Sequence, residues 1–253
     1  MTDRLLKGAE PFYLTKPSHT VLVILVHGFT SSCHSMREMG EKLYEAGLDA
    51  TGILLPGHGT TAQDMETRKW SEWYEALENT LKELSPRYKK VVLCGQSMGG
   101  CLCLYASTFH SVNGVITISS GIKLFDWKLY FLPIVKYFVR FIKKHDGPDI
   151  KDPIAKAKEV HYDLMPVKSI IELQFLLKKL RERIGYVTCP VLLIHARQDH
   201  TFDFKNQKMM FDSVGSTSKK NVILENSYHV ATVDHDKTVI HKETIEFIKE
   251  LCR

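Results

Sequence analysis

A helix that spans a bilayer needs about 20 uninterrupted apolar residues, and no stretch of this sequence approaches that length. Its first residues, Met1-Thr2-Asp3-Arg4, lack the apolar core of a signal peptide. We therefore expect a protein of the cytoplasm, with no stable insertion into a membrane. The remaining composition is ordinary for a globular protein: 253 residues, 44% hydrophobic and 25% charged, are enough for one sizeable core.

Signals for disulfides, bound metal or nucleic acid are also scarce. Because no export signal is present, we expect the six cysteines to stay reduced. Cys101 and Cys103 are two positions apart, which in a helix turns their thiols to different faces, so we expect no metal ion. We expect no other cofactor either. The net charge of +5 is spread along the chain, and we expect no nucleic-acid partner.

Short apolar runs alternate with helical patterns along most of the chain. This alternation is typical of parallel βαβ units, so we expect the α/β class: a mainly parallel twisted sheet with helices on both faces. The expected strands are 21–26, 50–55, 91–94, 115–119, 191–196 and 221–224. The expected helices are 36–46, 70–84, 204–211 and 234–251, the last with Asp234 as its N-cap.

The alternation stops between residues 121 and 188. Two helical patterns lie in this stretch, one starting at Pro133 and ending before Gly147, the other running from about Val167 to Leu180. We expect a helical cap over the strand ends, inserted between the sixth and seventh strands. The core would then comprise residues 1–120 and 189–253, with residues 121–188 as the cap.

The pentapeptide Gly95-Gln96-Ser97-Met98-Gly99 follows the apolar run 91–94 and precedes a stretch suited to a helix. In a G-x-S-x-G nucleophile elbow, glycines relieve crowding around a strained serine whose hydroxyl is held ready to attack a carbonyl. Ser97 is therefore the candidate nucleophile. The alternative is a serine that only caps the start of a helix.

A serine nucleophile needs a base and an acid, and candidates for both follow expected strands. Asp199 comes just after strand 191–196, and His229 just after strand 221–224. The carboxyl ends of parallel strands meet at one edge of a sheet, so both can reach Ser97. Asp203 is an alternative acid, and His235 and His195 are alternative bases, His195 being more typical of a buried strand residue.

The segment His27-Gly28-Phe29 follows the apolar strand 21–26 and can supply an oxyanion hole. We expect the backbone N–H groups of Phe29 and Met98 to hold the negative charge that grows on the carbonyl oxygen. The ring of His27 would brace this turn through hydrogen bonds, and His58 would order its own loop. Side chains expected to shape the substrate pocket are those of Phe29, Met98, Ile122 and Leu124.

Five landmarks together resemble the α/β-hydrolase family of carboxylesterases and monoacylglycerol lipases. They are His27-Gly28-Phe29-Thr30, Pro56-Gly57-His58-Gly59, Gly95-Gln96-Ser97-Met98-Gly99-Gly100, the Asp199 turn and the His229 turn. The resemblance implies a small bacterial-type ester hydrolase with a helical cap over an acyl pocket. It is specific for fold and triad and much less so for substrate.

The expected activity is hydrolysis of short- or medium-chain carboxylic esters, with monoacylglycerols among the candidates, through an acyl-enzyme on Ser97. Acyl transfer, thioester or amide cleavage, and a ligand receptor with slow turnover are alternatives. Residues 125–132, rich in aromatics and next to basic residues, leave two interpretations: weak contact with a membrane or micelle surface, or walls for the acyl pocket. The oligomeric state stays open.

Overall fold

The computed structural model describes residues 4–144 and 146–252. Seven of the strands in these ranges form one sheet, and β6 and β7 form a small separate one. The strands are β1 (Phe12–Leu14), β2 (Val21–Val26), β3 (Asp49–Ile53), β4 (Lys90–Gln96), β5 (Gly114–Ile118), β6 (Phe141–Lys143), β7 (Leu164–Pro166), β8 (Val191–Ala196) and β9 (Lys219–Leu224).

The order of strands across the large sheet is β1-β3-β2-β4-β5-β8-β9, and all neighbours are parallel except β1 and β3. The chain changes direction across the sheet at β2, with β3 on one side and β4 on the other. Such a switch opens a crevice at the carboxyl ends of the two strands. The turns that follow β2 and β4 therefore lie next to each other.

Helices cover both faces of the sheet, which confirms the predicted α/β class. They are α1 (His34–Glu45), α2 (Ala62–Glu66), α3 (Trp70–Leu84), α4 (Met98–Ser107), α5 (Leu132–Val135), α6 (Pro153–Lys158), α7 (Val167–Arg183), α8 (Lys205–Ser213) and α9 (Lys237–Leu251).

Strand β2 shows why the central strands are uniformly apolar. Leu22, Ile24 and Val26 pack in a layer with residues of α3, α4 and α7, whereas Val23 and Leu25 pack in a second layer with residues of α1 and α9. Successive side chains of a strand point to opposite faces, and here both faces are covered. The run 21–26 is apolar because no position in it meets water.

The closing helix starts later than the sequence predicts. Its N-cap is Asp236 and its first residue Lys237, not Asp234. The Asp234 carboxylate instead accepts backbone N–H bonds from Lys151, Tyr228 and other loop residues. The expectation failed because aspartate satisfies free N–H groups in loops as readily as at helix ends.

The predicted helix starting at Pro133 is present only as one turn: Pro133 lies at the start of α5, but α5 ends at Val135 rather than before Gly147. A 3₁₀ turn (Trp127–Phe131) leads into the four-residue helix α5, and the chain then turns into β6, which pairs antiparallel with β7. Pairing with a distant segment has overridden the local helical spacing. The second predicted helix is confirmed as α7, which packs against both α3 and α4.

The inserted segment, residues 121–188, also enters the sheet at a different point from the one predicted. It follows β5 and precedes β8, the fifth and sixth strands of the large sheet in chain order, rather than the sixth and seventh. The prediction places six strands before the insertion, whereas the large sheet has five there, because within residues 4–144 only the short strand β1 precedes β2. The insertion still leaves the sheet at the carboxyl edge of β5.

Two further features concern the cysteines and the end of α9. All six cysteines are free thiols; Cys252 is exposed, whereas Cys94 and Cys101 are buried. The ammonium of Lys90 donates to the carbonyl of Leu251, which places the end of α9 beside the amino end of β4. In the part of the chain that the structure describes, no helix is long and apolar enough to cross a bilayer, and no three His, Cys, Asp or Glu side chains cluster as metal ligands.

Candidate active site

Ser97 occupies a sharp turn between β4 and α4. Its backbone has φ 54° and ψ −120°, a region that residues with a side chain rarely adopt. A Cβ on Gly95 would lie 2.2 Å from the Gly99 carbonyl carbon, and one on Gly99 would lie 2.1 Å from the Val26 oxygen. Gly95 therefore lets β4 and α4 approach this closely, and Gly99 lets the start of α4 lie against the end of β2.

The side chain of Ser97 does not cap α4, although the residue precedes that helix. Its backbone N–H donates to the Ile118 carbonyl at 2.8 Å, which anchors the turn to the next strand. Its hydroxyl oxygen lies 2.8 Å from Nε2 of His229. The capping alternative for Ser97 is therefore wrong.

A continuous chain of hydrogen bonds joins Ser97, His229 and Asp199. Nδ1 of His229 lies 2.8 Å from Oδ2 of Asp199, and Oδ1 accepts the backbone N–H groups of Thr201 and Phe202, each at 2.8 Å. Because a carboxylate only accepts, Nδ1 carries the proton, and Nε2 presents its lone pair to the serine hydroxyl. All three side chains are buried or nearly so.

Asp199 is held in its ionised form. Burial would raise its pKa, but the adjacent His229 and His195 rings outweigh burial and hold the pKa below the ordinary value for aspartate. A carboxylate that is charged throughout the neutral range can stabilise an imidazolium at His229.

The structure does not bring the alternative acid and bases to Ser97. Asp203 accepts the N–H of Lys205 at the start of α8, and His235 is exposed. His195 is fully buried, with Nε2 3.0 Å from the Phe202 carbonyl oxygen and 3.3 Å from Oδ2 of Asp199. His195 therefore contacts Asp199 and not Ser97.

The turn after β2 is braced by His27, as predicted. Its Nδ1–H donates to the Gly28 carbonyl at 3.0 Å, and its Nε2 accepts the N–H of Leu55 at 3.1 Å. Burial lowers the pKa of His27 to about 4, so the ring is neutral. The His58 ring packs 4.9 Å from it, and its Nδ1 lies 3.2 Å from the Pro56 carbonyl, which orders the neighbouring loop.

This turn lies directly against the nucleophile. A Cβ on Gly28 would lie 2.4 Å from Oε1 of Gln96 and 3.2 Å from Cβ of Ser97. Phe29 follows Gly28, and Met98 is the first residue of α4, where an N–H has no partner inside the helix. Backbone donors from two different strand ends are thus available near Ser97.

A cavity of about 390 Å³ opens beside Ser97 and His229. Phe29 and Leu124, two of the side chains predicted to shape a substrate pocket, lie in its lining. The side chains of Met98 and Ile122 are instead buried in the layer formed with α3, α4 and α7, which corrects their assignment to the pocket. Other apolar residues of the lining are Phe125, Leu129, Met165, Ile170, Leu173 and Phe202.

Part of the same cavity is polar, and no local pattern in the sequence indicates this. Nζ of Lys144 donates to Oγ1 of Thr30 at 2.5 Å, and the Ser31 hydroxyl donates to Oε1 of Glu159 at 3.0 Å. Burial lowers the pKa of Lys144 to about 8. Both Lys144 and Glu159 belong to the inserted segment, so the insertion supplies polar lining as well as apolar walls.

The parallel sheet with its switch at β2, the serine elbow on β4 and the loops after β8 and β9 define an α/β-hydrolase. A family model described as serine aminopeptidase, S33, matches residues 17–236, and the chain belongs to that family. It is 33% identical to a thermostable monoacylglycerol lipase of Bacillus sp. (strain H-257) over 250 residues, covering 96% of this chain and 95% of the relative. It is 24% identical to a carboxylesterase of Bacillus subtilis (strain 168), covering 90% and 92%.

Solved structures agree with this placement. A structure from work on LipS and LipT, two metagenome-derived lipolytic enzymes, superposes with a TM-score of 0.91 at 32% identity and covers 98% of this chain and 100% of its own. A soluble variant of the monoglyceride lipase from Saccharomyces cerevisiae superposes with a TM-score of 0.78 at 17% identity, covering 99% and 95%, which shows a shared fold.

Proposed function

We propose that this protein hydrolyses carboxylic esters through an acyl-enzyme formed on Ser97. The observation that carries the proposal is the hydrogen-bond chain from Ser97 to His229 to Asp199, with both contacts at 2.8 Å, at the wall of a cavity large enough for a small ester. The curated relatives named as a monoacylglycerol lipase and a carboxylesterase support the same chemistry.

In the first half of the reaction, Oγ of Ser97 attacks the ester carbonyl carbon while Nε2 of His229 takes the hydroxyl proton. Asp199 keeps the imidazole oriented and stabilises its charge. The backbone N–H groups of Phe29 and Met98 would hold the oxyanion, a role supported by the closeness of the Gly28 turn to Ser97. Collapse of the tetrahedral intermediate breaks the bond to the alcohol oxygen, which receives its proton from His229.

In the second half, water replaces the alcohol. His229 takes a proton from that water as its oxygen attacks the acyl carbon, and the bond to Ser97 Oγ breaks. The carboxylic acid leaves and the serine recovers its proton from His229. No group beyond these side chains and backbone amides is required.

The two-sided lining of the cavity favours an amphiphilic ester. Leu124, Leu129 and Ile170 suit an acyl chain, whereas Thr30, Lys144 and other polar residues suit hydroxyl groups of the alcohol. We infer that substrates are short- or medium-chain esters, with monoacylglycerols a good match because they combine an acyl chain with a hydroxylated alcohol.

The inserted segment would act as the cap of this cavity, with residues 1–120 and 189–253 as the core. Its stretch 125–139 also presents large apolar side chains to solvent, with Phe138 85% exposed and Tyr137 78% exposed, beside the cations Lys128 and Lys136. Such a surface suits weak, reversible contact with a lipid or micelle surface that supplies substrate. The cytoplasmic location stays a prediction.

The decisive experiment is a p-nitrophenyl ester series from short to long acyl chains, run on the parent protein and on Ser97→Ala. We expect multiple turnovers with short and medium chains, and loss of at least about 10³-fold in kcat in the variant. Asp199→Asn should lose about 10⁴-fold because the imidazole tautomer is no longer fixed. The matched control is Asp203→Asn, four residues further on, which should keep the parent rate. Retained activity in Ser97→Ala would disprove the mechanism.

The same assay separates the alternatives. Product analysis with added alcohols distinguishes acyl transfer from hydrolysis, and p-nitroanilide and thioester analogues test amide and thioester cleavage. A ligand receptor would show a single slow turnover instead of continued hydrolysis.

A further inference from the structure

Asp149 lies in the inserted segment, between β6 and α6, and yet contacts both loops that carry the acid and the base. It lines the cavity beside Ser97 and His229. The loops after β8 and β9 emerge from different strands, and outside the strands no sheet ladder fixes their spacing. Asp149 is therefore placed where it can control that spacing.

Four contacts join Asp149 to these loops. Its Oδ2 accepts the backbone N–H of His200 at 3.2 Å and that of His229 at 3.2 Å. Its Oδ1 lies 2.8 Å from Nδ1 of His200, and its carbonyl oxygen accepts the N–H of Val230 at 3.0 Å. His200 directly follows Asp199, so one carboxylate holds the neighbour of the acid and the base itself.

The attachment is reciprocal. Asp234, in the loop after β9, is buried, and its carboxylate accepts the N–H groups of Lys151 at 2.8 Å and Asp152 at 2.9 Å. It also accepts the N–H of Tyr228 at 2.9 Å. Residues 149–152 are thus bound to the loop of His229 from both sides, and this part of the insertion is fixed to the site.

We propose that Asp149 is a positioning residue for the catalytic machinery: it sets the separation of the Asp199 and His229 loops. The proposal rests on the hydrolase chemistry proposed above. A proton passes from Ser97 to His229 only while Nε2 stays within hydrogen-bond distance of the hydroxyl, and a misplacement of about 1 Å costs about 10²-fold in rate. The insertion therefore completes the active site as well as covering it.

The test compares Asp149→Ala, Asp149→Glu and Asp149→Asn with a soluble p-nitrophenyl ester. Alanine removes all three side-chain contacts, so kcat should fall about 10²-fold with little change in KM. Glutamate keeps the charge but moves the carboxylate, and kcat should fall about 10-fold. Asparagine keeps one oxygen for both backbone N–H groups and can donate to Nδ1 of His200, so it should stay within about 3-fold of the parent.

Two further readouts separate positioning from a contribution to stability alone. The rate at which a small fluorophosphonate labels Ser97 reports on the triad without a long acyl chain, and the low-field proton signal of His229 Nδ1–H reports on its bond to Asp199. Both should change in Asp149→Ala and Asp149→Glu at temperatures where circular dichroism shows a folded protein. The control is Asp212→Ala, which removes an exposed aspartate of α8 that pairs only with Lys208 among the described residues.

The outcomes are distinct from those that test the proposed function. Loss of activity in Ser97→Ala together with parent values of kcat, labelling rate and proton signal in Asp149→Glu would overturn the positioning role alone. The positioning role would also be overturned if kcat falls as far in Asp149→Asn as in Asp149→Ala. The position of the side-chain oxygen would then not be the cause of the loss. If Asp149→Ala does not fold, the comparison of Asp149→Glu with Asp149→Asn still tests the positioning role.

Discussion

Ser97 is held in a backbone conformation that costs on the order of 1–3 kcal/mol. Its surroundings enforce that conformation: Gly95 lets α4 start close against β4, Gly99 lets α4 lie against the end of β2, and the Ser97 N–H donates to the Ile118 carbonyl. The hydroxyl is consequently held in place before any substrate arrives.

Gly28 offers a test of the oxyanion hole that side-chain truncation cannot provide, because the proposed donors are backbone groups. In Gly28→Ala the new methyl group would push against Gln96 and Ser97 and displace the turn that carries the Phe29 N–H. We expect kcat on p-nitrophenyl esters to fall by about 10²-fold or more. Gly47→Ala is the control, since nothing lies within 4 Å of its new methyl group, although its positive φ costs some stability. An unchanged kcat in Gly28→Ala would argue against Phe29 as a donor.

His27 should make the protein sensitive to acid. Its pKa is 6.5 when exposed and about 4 in the folded protein, so between these values only the unfolded chain binds the proton. The contribution of His27 to the free energy of unfolding is fully present above about pH 6.5. It decreases by about 3 kcal/mol in total as the pH drops toward 4.

The measurement is the urea unfolding free energy at pH 7.5 and pH 4.5. His27→Gln should be less stable than the parent at pH 7.5 but should lose about 2 kcal/mol less on acidification. If both proteins lose the same amount of unfolding free energy between pH 7.5 and pH 4.5, groups other than His27 cause the acid sensitivity. His58, also buried and with a lowered pKa, accounts for part of the remaining slope.

At the scale of elements, Asp234 joins three segments through backbone N–H groups of Lys151, Asp152, Tyr228 and His235. Asp234→Ala leaves these donors without their acceptor in a buried site, and we expect a loss of about 3 kcal/mol. For a chain of this length, Tm should fall by about 6–12 °C. Helix α9 itself should persist because Asp234 lies outside it: the helix begins at Lys237. A Tm within about 2 °C of the parent would show that water replaces the carboxylate.

The elements that the sequence predicts well are those whose pattern reflects burial on a regular face. β2 and β8 are buried at every position, and α3 presents a regular apolar side, so local spacing is enough. The predicted helix fails beyond Val135 because β6 is defined by its partner β7, which lies beyond the local window. Helical spacing at Val135, Phe138 and Val139 carried no information about that partner.

The same distinction applies to the site. Ser97 directly follows β4, and Asp199 and His229 lie in the loops that follow β8 and β9, so their meeting could be predicted from sequence position alone. Asp149 and Lys144 lie in irregular chain, and their partners are distant in sequence, which leaves no local signal. The side chain of Met98 was misassigned because it neighbours Ser97 in the chain but turns into the core at the start of α4.

At the scale of the whole molecule, exposed apolar side chains concentrate on one surface, residues 125–139, near the mouth of the cavity. We expect the protein to bind vesicles that contain phosphatidylglycerol weakly, and less at high salt, because Lys128 and Lys136 contribute attraction. The double variant Trp127→Ala, Phe138→Ala should bind about 10-fold or more weakly, since each ring buries apolar area at the surface.

The matched control for vesicle binding is Tyr13→Ala, which removes an equally exposed ring from β1. Turnover of a soluble ester should be the same in all these variants, since neither Trp127 nor Phe138 lines the cavity. Binding that is independent of salt, or as strong in the double variant as in Tyr13→Ala, would rule out a lipid-facing surface. A concentration-dependent dimer that dissociates in the double variant would show that a second copy covers it.

The contact between Lys90 and Leu251 has a practical consequence for immobilisation. It places the exposed thiol of Cys252 beside the amino end of β4, whereas Ser97 follows the carboxyl end of that strand, about 20 Å away along its length. A maleimide support coupled through this sulfur would attach the molecule by its far rim, with the mouth of the cavity directed toward the bulk solution.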